Sequence, residues 1–456
     1  MPDTAVAHRF IPPHWPIATG NPGLVDQFRS ITNTLRGWSK GVYEGQVFCA
    51  GVPGSPVMVG DADVAAAILF EHPDDFPHGE QFNRLFRPVW GRGIFVAEGA
   101  DWKWQRRAAA PGLHGGRMKQ FAPMMSAAAE RTLADWRDDG GYVDIHAAAR
   151  QLTLRVLLDA VLSGGEDFPS IAEASHHIDR LITQVGRFGV MDVLPIPEWM
   201  RPPTEQRGGA SNVWLRRHAA RMVARRRNAP PRGDMVDLLF AAVDPETGQR
   251  MDDELVRDNL VGFIAAGHET SSYALSWALW LVAHHPPTEK RLVEEVTRVA
   301  GDSQLTAEHL DDLVFTRQVL QETMRLYPGA VAIARSAARD IEIKGYRFRR
   351  GQLCLLATHA FHRRPDFWPD PDAFDPDRFA PGRQTTGRPR LAYMPFGGGP
   401  RVCMGAAFAM TELTLALASL VRAVRFEDDP QRPLRLGVRM NAFVGEGGMW
   451  MRPVAR

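Results

Sequence analysis

The chain has 456 residues, with 54 Lys plus Arg against 53 Asp plus Glu, and 45% of it is hydrophobic. A net charge of +1 lacks the basic excess of a dedicated nucleic-acid binder, and the composition is that of a globular chain rather than a disordered one. Three cysteines, Cys49, Cys354 and Cys403, form no CxxC pair; they argue against a disulfide framework or a structural zinc site and point to a reducing, cytoplasmic setting.

The amino terminus shows no basic stretch followed by a long apolar run. No segment reaches the roughly 18–20 apolar residues of a spanning helix; the nearest is Thr270–Ala283. A protein without a membrane anchor is expected. Ser55–Gly60 reads as a short strand and Asp61–Phe70 as a helix capped by Asp61 or Asp63. Phe76–Gly99 mixes aromatics, Gly and Arg without a clear period and reads as a long loop. A helical period runs from Trp102 to about Leu162, with a break near Asp138–Gly141, and returns over Phe168–Arg187 and Asn212–Arg227. Asp253–His284 is one long, mostly apolar helix, stopped by Pro286-Pro287, whose middle must be buried on nearly all sides. Helices follow near Pro287–Ala300, Thr306–Leu310 and Thr316–Tyr327, strands at Ile341–Ile343 and Gln352–Ala357, and a last strong helix at Ala406–Ala423. There is no internal repeat and no linker-like boundary. The expected fold class is mainly α with small β-sheets, in a single domain over 1–456.

The segment Met394–Gly405 carries the most information. Three consecutive glycines and a proline impose a tight, irregular backbone that leads into Cys403 just before an apolar helix. Helix N-terminal N–H groups favour a thiolate there, which makes the sulfur a metal ligand or a nucleophile. Phe396, Gly399, Arg401, Cys403 and Gly405 fit F-x-x-G-x-R-x-C-x-G. With this spacing the sequence resembles the cytochrome P450 family of haem-thiolate monooxygenases, in a soluble bacterial-type form. The resemblance implies the cytochrome P450 fold, with haem b held between the long central helix and the cysteine loop. It makes Cys403 the axial ligand of the haem iron, whose electron donation favours O–O cleavage. Arg401 is then a propionate partner and Phe396 a shield for the sulfur.

Three further constellations extend the resemblance. Ala266-Gly267-His268-Glu269-Thr270-Ser271 interrupts the long apolar helix, where an acid beside a hydroxyl needs a partner or a task. The resemblance makes Thr270 and Glu269 the proton-delivery pair and Ala266-Gly267 the floor of the pocket. His268-Glu269 lacks the second histidine of HExxH, so His268 reads as a satisfied helix histidine. Glu322-Thr-Met-Arg325 and Arg378 of Phe374–Phe379 match the family's buried charge network. Trp102 with Arg106, one turn apart, and Arg335 match haem-propionate positions; His362-Arg363 matches a further family pair, with Arg364 where an Asp is frequent.

The implied activity is insertion of one oxygen atom of O2 into a lipophilic small molecule, with hydroxylation the leading outcome. Electrons come from NAD(P)H through a separate ferredoxin or flavodoxin and its reductase, since the chain carries no GxGxxG after a strand. A peroxygenase, a haem-thiolate isomerase or dehydratase, and a non-catalytic haem sensor are the alternatives. By family analogy the substrate pocket draws on Phe82, Phe86, Trp90, Phe95, Phe188, Met191, Phe263, Ala330, Val331 and Phe443. Seven arginines and no acid lie between Arg216 and Arg232, which reads as a solvated face or a partner patch.

Overall fold

The structure, a computed structural model, describes residues 9–456 apart from 18, 24–25, 27–32, 50–54, 140, 163, 165, 186–207, 384–386, 440–441 and 446. Its longer helices are α1 (Gly79–Trp90), α2 (Gly99–Ala109), α3 (Met118–Asp139), α4 (Ile145–Val161), α5 (Ile171–Val185), α6 (Gly209–Arg227), α7 (Met235–Ala241), α8 (Asp253–Ala283), α9 (Pro286–Ala300), α10 (Val314–Leu326) and α11 (Ala406–Ala423). The strands are short: β1 (Val47–Cys49), β2 (Val57–Val59), β3 (Val143–Asp144), β4 (Ile333–Ser336), β5 (Ile341–Ile343), β6 (Tyr346–Phe348), β7 (Leu353–Leu356), β8 (Val424–Asp428), β9 (Leu436–Arg439), β10 (Ala442–Gly445) and β11 (Trp450–Ala455). The largest sheet has the order β1-β2-β7-β4, with β2 and β7 parallel and the other pairs antiparallel.

The long helix α8 is the spine. Asp252 caps it by accepting from the Leu255 N–H, and His284 ends it ahead of Pro286. From Leu255 to Val282 nearly every residue is buried, because α4, α6, α10 and α11 all pack on it. α11 carries eighteen residues apolar enough to cross a membrane by composition, a run the sequence reading passed over; 67% of it is buried between α3, α8 and α9. Two hydrophobic clusters result: a large one among the helices and a smaller one around the β1-β2-β7-β4 sheet.

The expected loop at Phe76–Gly99 is in large part helical. Phe82, Leu85, Phe86, Val89 and Trp90 recur at helical spacing and turn α1's apolar side inward, while Pro88 sits in its last turn and Gly91 ends it at φ +55°. The Trp102–Leu162 region breaks a second time, at Ala110–Arg117, where Pro111, Gly112 and the Gly115-Gly116 pair accompany short 3-10 turns. Asp61 caps its helix as expected, accepting from Asp63 and Val64, but after Ala66 the chain widens into a π-helical turn over Ala67–Glu71. Strands of two to four residues at β1, β3, β4 and β6 had too few positions to show a period.

Candidate haem site

The loop before α11 is held in shape by backbone geometry that only glycine permits. Gly399 has φ +72°, and a Cβ there would lie 2.1 Å from the Leu69 carbonyl oxygen, so the loop lies directly on the π-helical turn. The Cys403 N–H donates to the Phe396 carbonyl at 2.9 Å, closing the loop on itself. The Met394 N–H donates to His362 Nε2 at 3.0 Å, tying the loop to the segment after β7. Cys403 is exposed, between the exposed Val402 and the half-buried Met404. It precedes α11 by three residues, with Gly405 as the cap. Burial pushes its thiol up, and the Gly405 N–H and Arg106 pull only part of the way back.

Thr270 presents a similar exception. It is exposed, and Ala266 and Gly267 are half-buried, in a stretch of α8 where Val261–Ala265 and Ser271–Val282 are buried. The Thr270 hydroxyl donates to the Ala266 carbonyl at 2.9 Å. The loop after α10 rises against it, since a Cβ on Gly329 would come within 3.7 Å of Thr270 Cβ. Glu269 takes another direction. Its side chain is 6% exposed, accepts from Tyr273 Oη at 2.6 Å and lies 3.5 Å from His268 Nδ1. The structure thus separates the acid from the alcohol instead of pairing them. Burial raises Glu269, but His268, His146 and the Tyr273 hydroxyl outweigh it and hold the carboxyl down at about 2.

A third cluster gathers guanidinium groups. Arg401 pairs with Glu98 and donates to the Ala97 carbonyl. Trp102 lies between Arg401 and Arg106, at 4.4 and 5.6 Å from ring centroid to guanidinium carbon. Arg106 reaches the Val402 carbonyl at 2.8 Å, against the cysteine loop. Arg335 on β4 is 7% exposed and donates to the Ala334 carbonyl. Burial and then the neighbouring Arg401 push Arg335 down to about 10, with Glu98 opposing; Arg401 is lowered for the same primary reason. His78, which the sequence reading missed, joins this cluster: burial, Arg335 and Arg401 hold it well below the usual imidazole range. Its Nδ1 is buried without a hydrogen bond, 3.9 Å from Glu98. Nothing local in the sequence marks His78 or Glu98, because their partners lie hundreds of residues away.

Glu322, Arg325 and Arg378 come together in one buried network. Arg325 donates to Glu322 through Nε at 2.7 Å and Nη2 at 2.8 Å, and to the carbonyls of His362, Pro371 and Ala373. Arg378 lies 3.4 Å from Glu322 and donates to the carbonyls of Pro369 and Asp370. Arg364, in place of an Asp, pairs with Asp366 and reaches the Gly60 carbonyl at 3.2 Å, so its region is tied by other means.

Of the expected pocket residues, Phe82, Phe86, Trp90, Phe95 and Phe263 form a continuous aromatic wall, with successive centroids 4.4, 4.7, 5.6 and 6.3 Å apart. Phe95 packs on Gly262, one turn before Ala266. Ala330 is half-buried, whereas Val331 is fully buried in the core. Phe188 and Met191 lie outside the described residues, as does the side chain of Phe443, whose backbone pairs with Val438. A polar cleft of about 520 Å³ between Arg87, Arg92, Asp101, Gln105 and Asp252 touches none of Cys403, Thr270 or Arg335. The arginine run after Arg216 meets acids from elsewhere: Arg216 with Asp258, Arg225 with Glu166 and Asp167, Arg226 with Asp234 and Asp237, and Arg227 with Asp253.

An accessible sulfur, an accessible hydroxyl on an otherwise buried helix, and a cluster of buried cations with too few acids fit a flat, apolar, dianionic group such as haem. These features define the haem-thiolate class, and the comparisons agree. The cytochrome P450 family profile matches residues 38–444, and the chain belongs to that family. Among its relatives is the cyclooctat-9-en-7-ol 5-monooxygenase of Streptomyces melanosporofaciens, 31% identical over 360 residues, covering 79% of this chain and 78% of the relative. A putative cytochrome P450 132 of Mycobacterium tuberculosis is 29% identical, covering 82% of each chain. Among solved structures, the cytochrome P450DA heme domain superposes with a TM-score of 0.80 at 24% identity, over 97% of this chain and 98% of that one. A retinoic acid-bound cyanobacterial CYP120A1 gives 0.77 at 23% identity, over 88% and 89%. The protein is an oxidoreductase of the monooxygenase type, and its family uses haem and dioxygen with electrons from NAD(P)H.

Proposed function

We propose that this chain, as one catalytic unit, hydroxylates a lipophilic small molecule, and that a separate ferredoxin or flavodoxin with its reductase supplies the electrons. The observation that carries the reading is the accessible Cys403 thiol in a loop braced by Phe396, Gly399 and His362. Haem, when bound, supplies the activation of dioxygen. The chain supplies the rest. Cys403 would ligate the haem iron, with Phe396 shielding its sulfur. Arg335, Arg401 and Arg106, with Trp102 between two of them, would hold the propionate side. Ala266 and Gly267 leave room on α8, and Thr270 holds a proton at its hydroxyl while Glu269 supplies protons to it. The wall from Phe82 to Phe263 presses an apolar substrate against α8 and excludes water. The 5-monooxygenase relative acts on cyclooctat-9-en-7-ol by its name, which favours a bulky hydrocarbon skeleton here as well.

The reduced, carbon-monoxide-bound absorption spectrum tests the assignment. The red-shifted Soret band of thiolate ligation is expected in the wild type and is lost in Cys403→Ser. A histidine-type band in the wild type overturns it. A library of apolar compounds screened by the ferric spin shift then tests the substrate class.

A further inference from the structure

Glu269 sits in a cage that the proton-supply reading leaves unexplained. Four groups from three helices surround it. Tyr273 donates to one carboxylate oxygen at 2.6 Å. His268 Nδ1 stands 3.5 Å from the other, a few tenths of an ångström beyond a hydrogen bond, and neither of those two atoms has another hydrogen-bond partner. The far nitrogen of His268, Nε2, is 3.2 Å from the Ser175 hydroxyl on α5. His146 on α4 stacks flat on Tyr273, with centroids 4.7 Å apart at 8°, and its Nδ1 meets Ser276 at 3.1 Å. One turn along α5 from Ser175, Asp179 pairs with Arg150 of α4 at 2.5 Å, and this pair reaches solvent with side-chain exposures of 24% and 17%. Asp144, which caps α4, is the remaining charged group beside His146.

The contacts run from Ser175 to His268 and stop 3.5 Å short of Glu269, while Asp179 stands one helical turn from Ser175. We propose that Ser175 and His268 are relay residues that carry protons from the Asp179–Arg150 surface pair to Glu269, with Tyr273 and His146 as positioning residues that hold the carboxylate ready to accept. The proposal rests on Glu269 serving Thr270. The net proton comes from solvent. Ser175 gives its hydroxyl proton to His268 Nε2 and regains one from a hydronium ion at the Asp179–Arg150 pair, which leaves as water; His268 gives the Nδ1 proton to Glu269 Oε2 and stays neutral in the opposite tautomer, and turning the ring resets it. Glu269, neutralised, leaves the cage and delivers to the Thr270 side, about 100° round the helix. The acid faces away from Thr270 because its supply comes from behind the helix, between α4 and α5.

The test uses haem-loaded Ser175→Ala, His268→Gln, His268→Phe and Tyr273→Phe, with the reduced carbon-monoxide spectrum checking the haem in each. The Glu269 carboxyl stretch, identified as the infrared band lost in Glu269→Gln, is titrated in the substrate-free ferric proteins. Oxygen consumption with NADPH, ferredoxin and its reductase is measured in light and heavy water, with peroxide release, and no substrate added. His268→Gln keeps hydrogen-bonding groups but cannot pass a proton between two ring nitrogens. It should match His268→Phe in lowering proton-dependent turnover about tenfold or more and in enlarging the solvent isotope effect. Ser175→Ala should follow them. Tyr273→Phe should move the carboxyl titration to higher pH, a signature that loss of packing alone does not give. A His268→Gln enzyme with wild-type turnover, isotope effect and titration overturns the relay while an intact thiolate spectrum leaves the monooxygenase reading standing. Loss of the thiolate band in the wild type overturns both.

Discussion

Two clusters of buried arginine are built on opposite terms. Around Glu322 the guanidinium groups meet oxygens: Arg325 makes two bonds to the carboxylate and three to carbonyls, and Arg378 adds two more carbonyls beside the same acid. Around Arg335 the cations exceed the anions. Arg335, Arg401 and Arg106 gather here with His78, which burial and the arginines keep neutral; Glu98 faces Arg335 and Arg401, Asp74 acts on Arg401 as well, and burial lowers all four. Both clusters took charge out of water, which is costly unless it is compensated. In the first, the protein's own carbonyls and Glu322 provide the compensation, and the cluster is scaffold. In the second the protein leaves it incomplete, which is the condition for a site that takes an anion from outside.

Breaking the completed cluster should have the largest effect. Arg325→Leu leaves Glu322 buried with Arg378, the Asp375 N–H and the influence of Arg388, and should cost about 3–5 kcal/mol of stability, with little haem-loaded protein recovered. Urea denaturation of whatever protein folds measures it. Glu412 on α11 sharpens the contrast from the acidic side. It is 1% exposed, and neither of its oxygens has a hydrogen bond among the described residues. Burial raises it from 4.5 to about 8, with Ser271 pulling slightly the other way. A folded-state value above the unfolded one means its contribution is complete below about pH 4.5 and is lost as pH rises toward 8. Glu412→Gln, always neutral, should remove that slope and be more stable than wild type by about 2–4 kcal/mol near pH 8. Parallel stability-against-pH curves for the two proteins would show that Glu412 is solvated or paired.

The completed cluster was legible in the sequence and the incomplete one only in part, for a physical reason. Glu322 and Arg325 sit one helical turn apart, so spacing alone brings them together. Cys403 and the glycines before it also form a local pattern, and α8 and α11 announce themselves by length and apolar content. His78 and Glu98 meet Arg335 and Arg401 across 257 and 303 positions, and only the fold creates that proximity. α1 was hidden because Gly79, Pro88 and two exposed or half-buried arginines obscure the spacing of Phe82, Phe86 and Trp90. His268 looked satisfied from sequence, and half of it is: Nε2 meets Ser175, while Nδ1 stands short of Glu269. The direction of Glu269 was unreadable for a similar reason, since Tyr273 on the next turn and His146 on another helix decide it.

The finest test of the contrast is Arg335→Leu, because it should act in opposite directions on two states of the same protein. Without haem, the substitution removes a cation that burial and Arg401 already disfavour, and fills the same space with an apolar side chain. The haem-free protein should therefore melt at the same temperature as wild type or higher. With haem, the propionate role proposed for Arg335 predicts the loss of a charge-assisted hydrogen bond, about 1.5–3 kcal/mol, or roughly a tenfold to hundredfold faster loss of haem to an apomyoglobin acceptor. A scaffold arginine such as Arg325 weakens both states together. If Arg335→Leu lowers the haem-free melting temperature in the same way, the Arg335 cluster is scaffold too and the distinction drawn between the two clusters fails. If the two effects part in sign, the unpaired charge is the binding energy held in reserve for the cofactor.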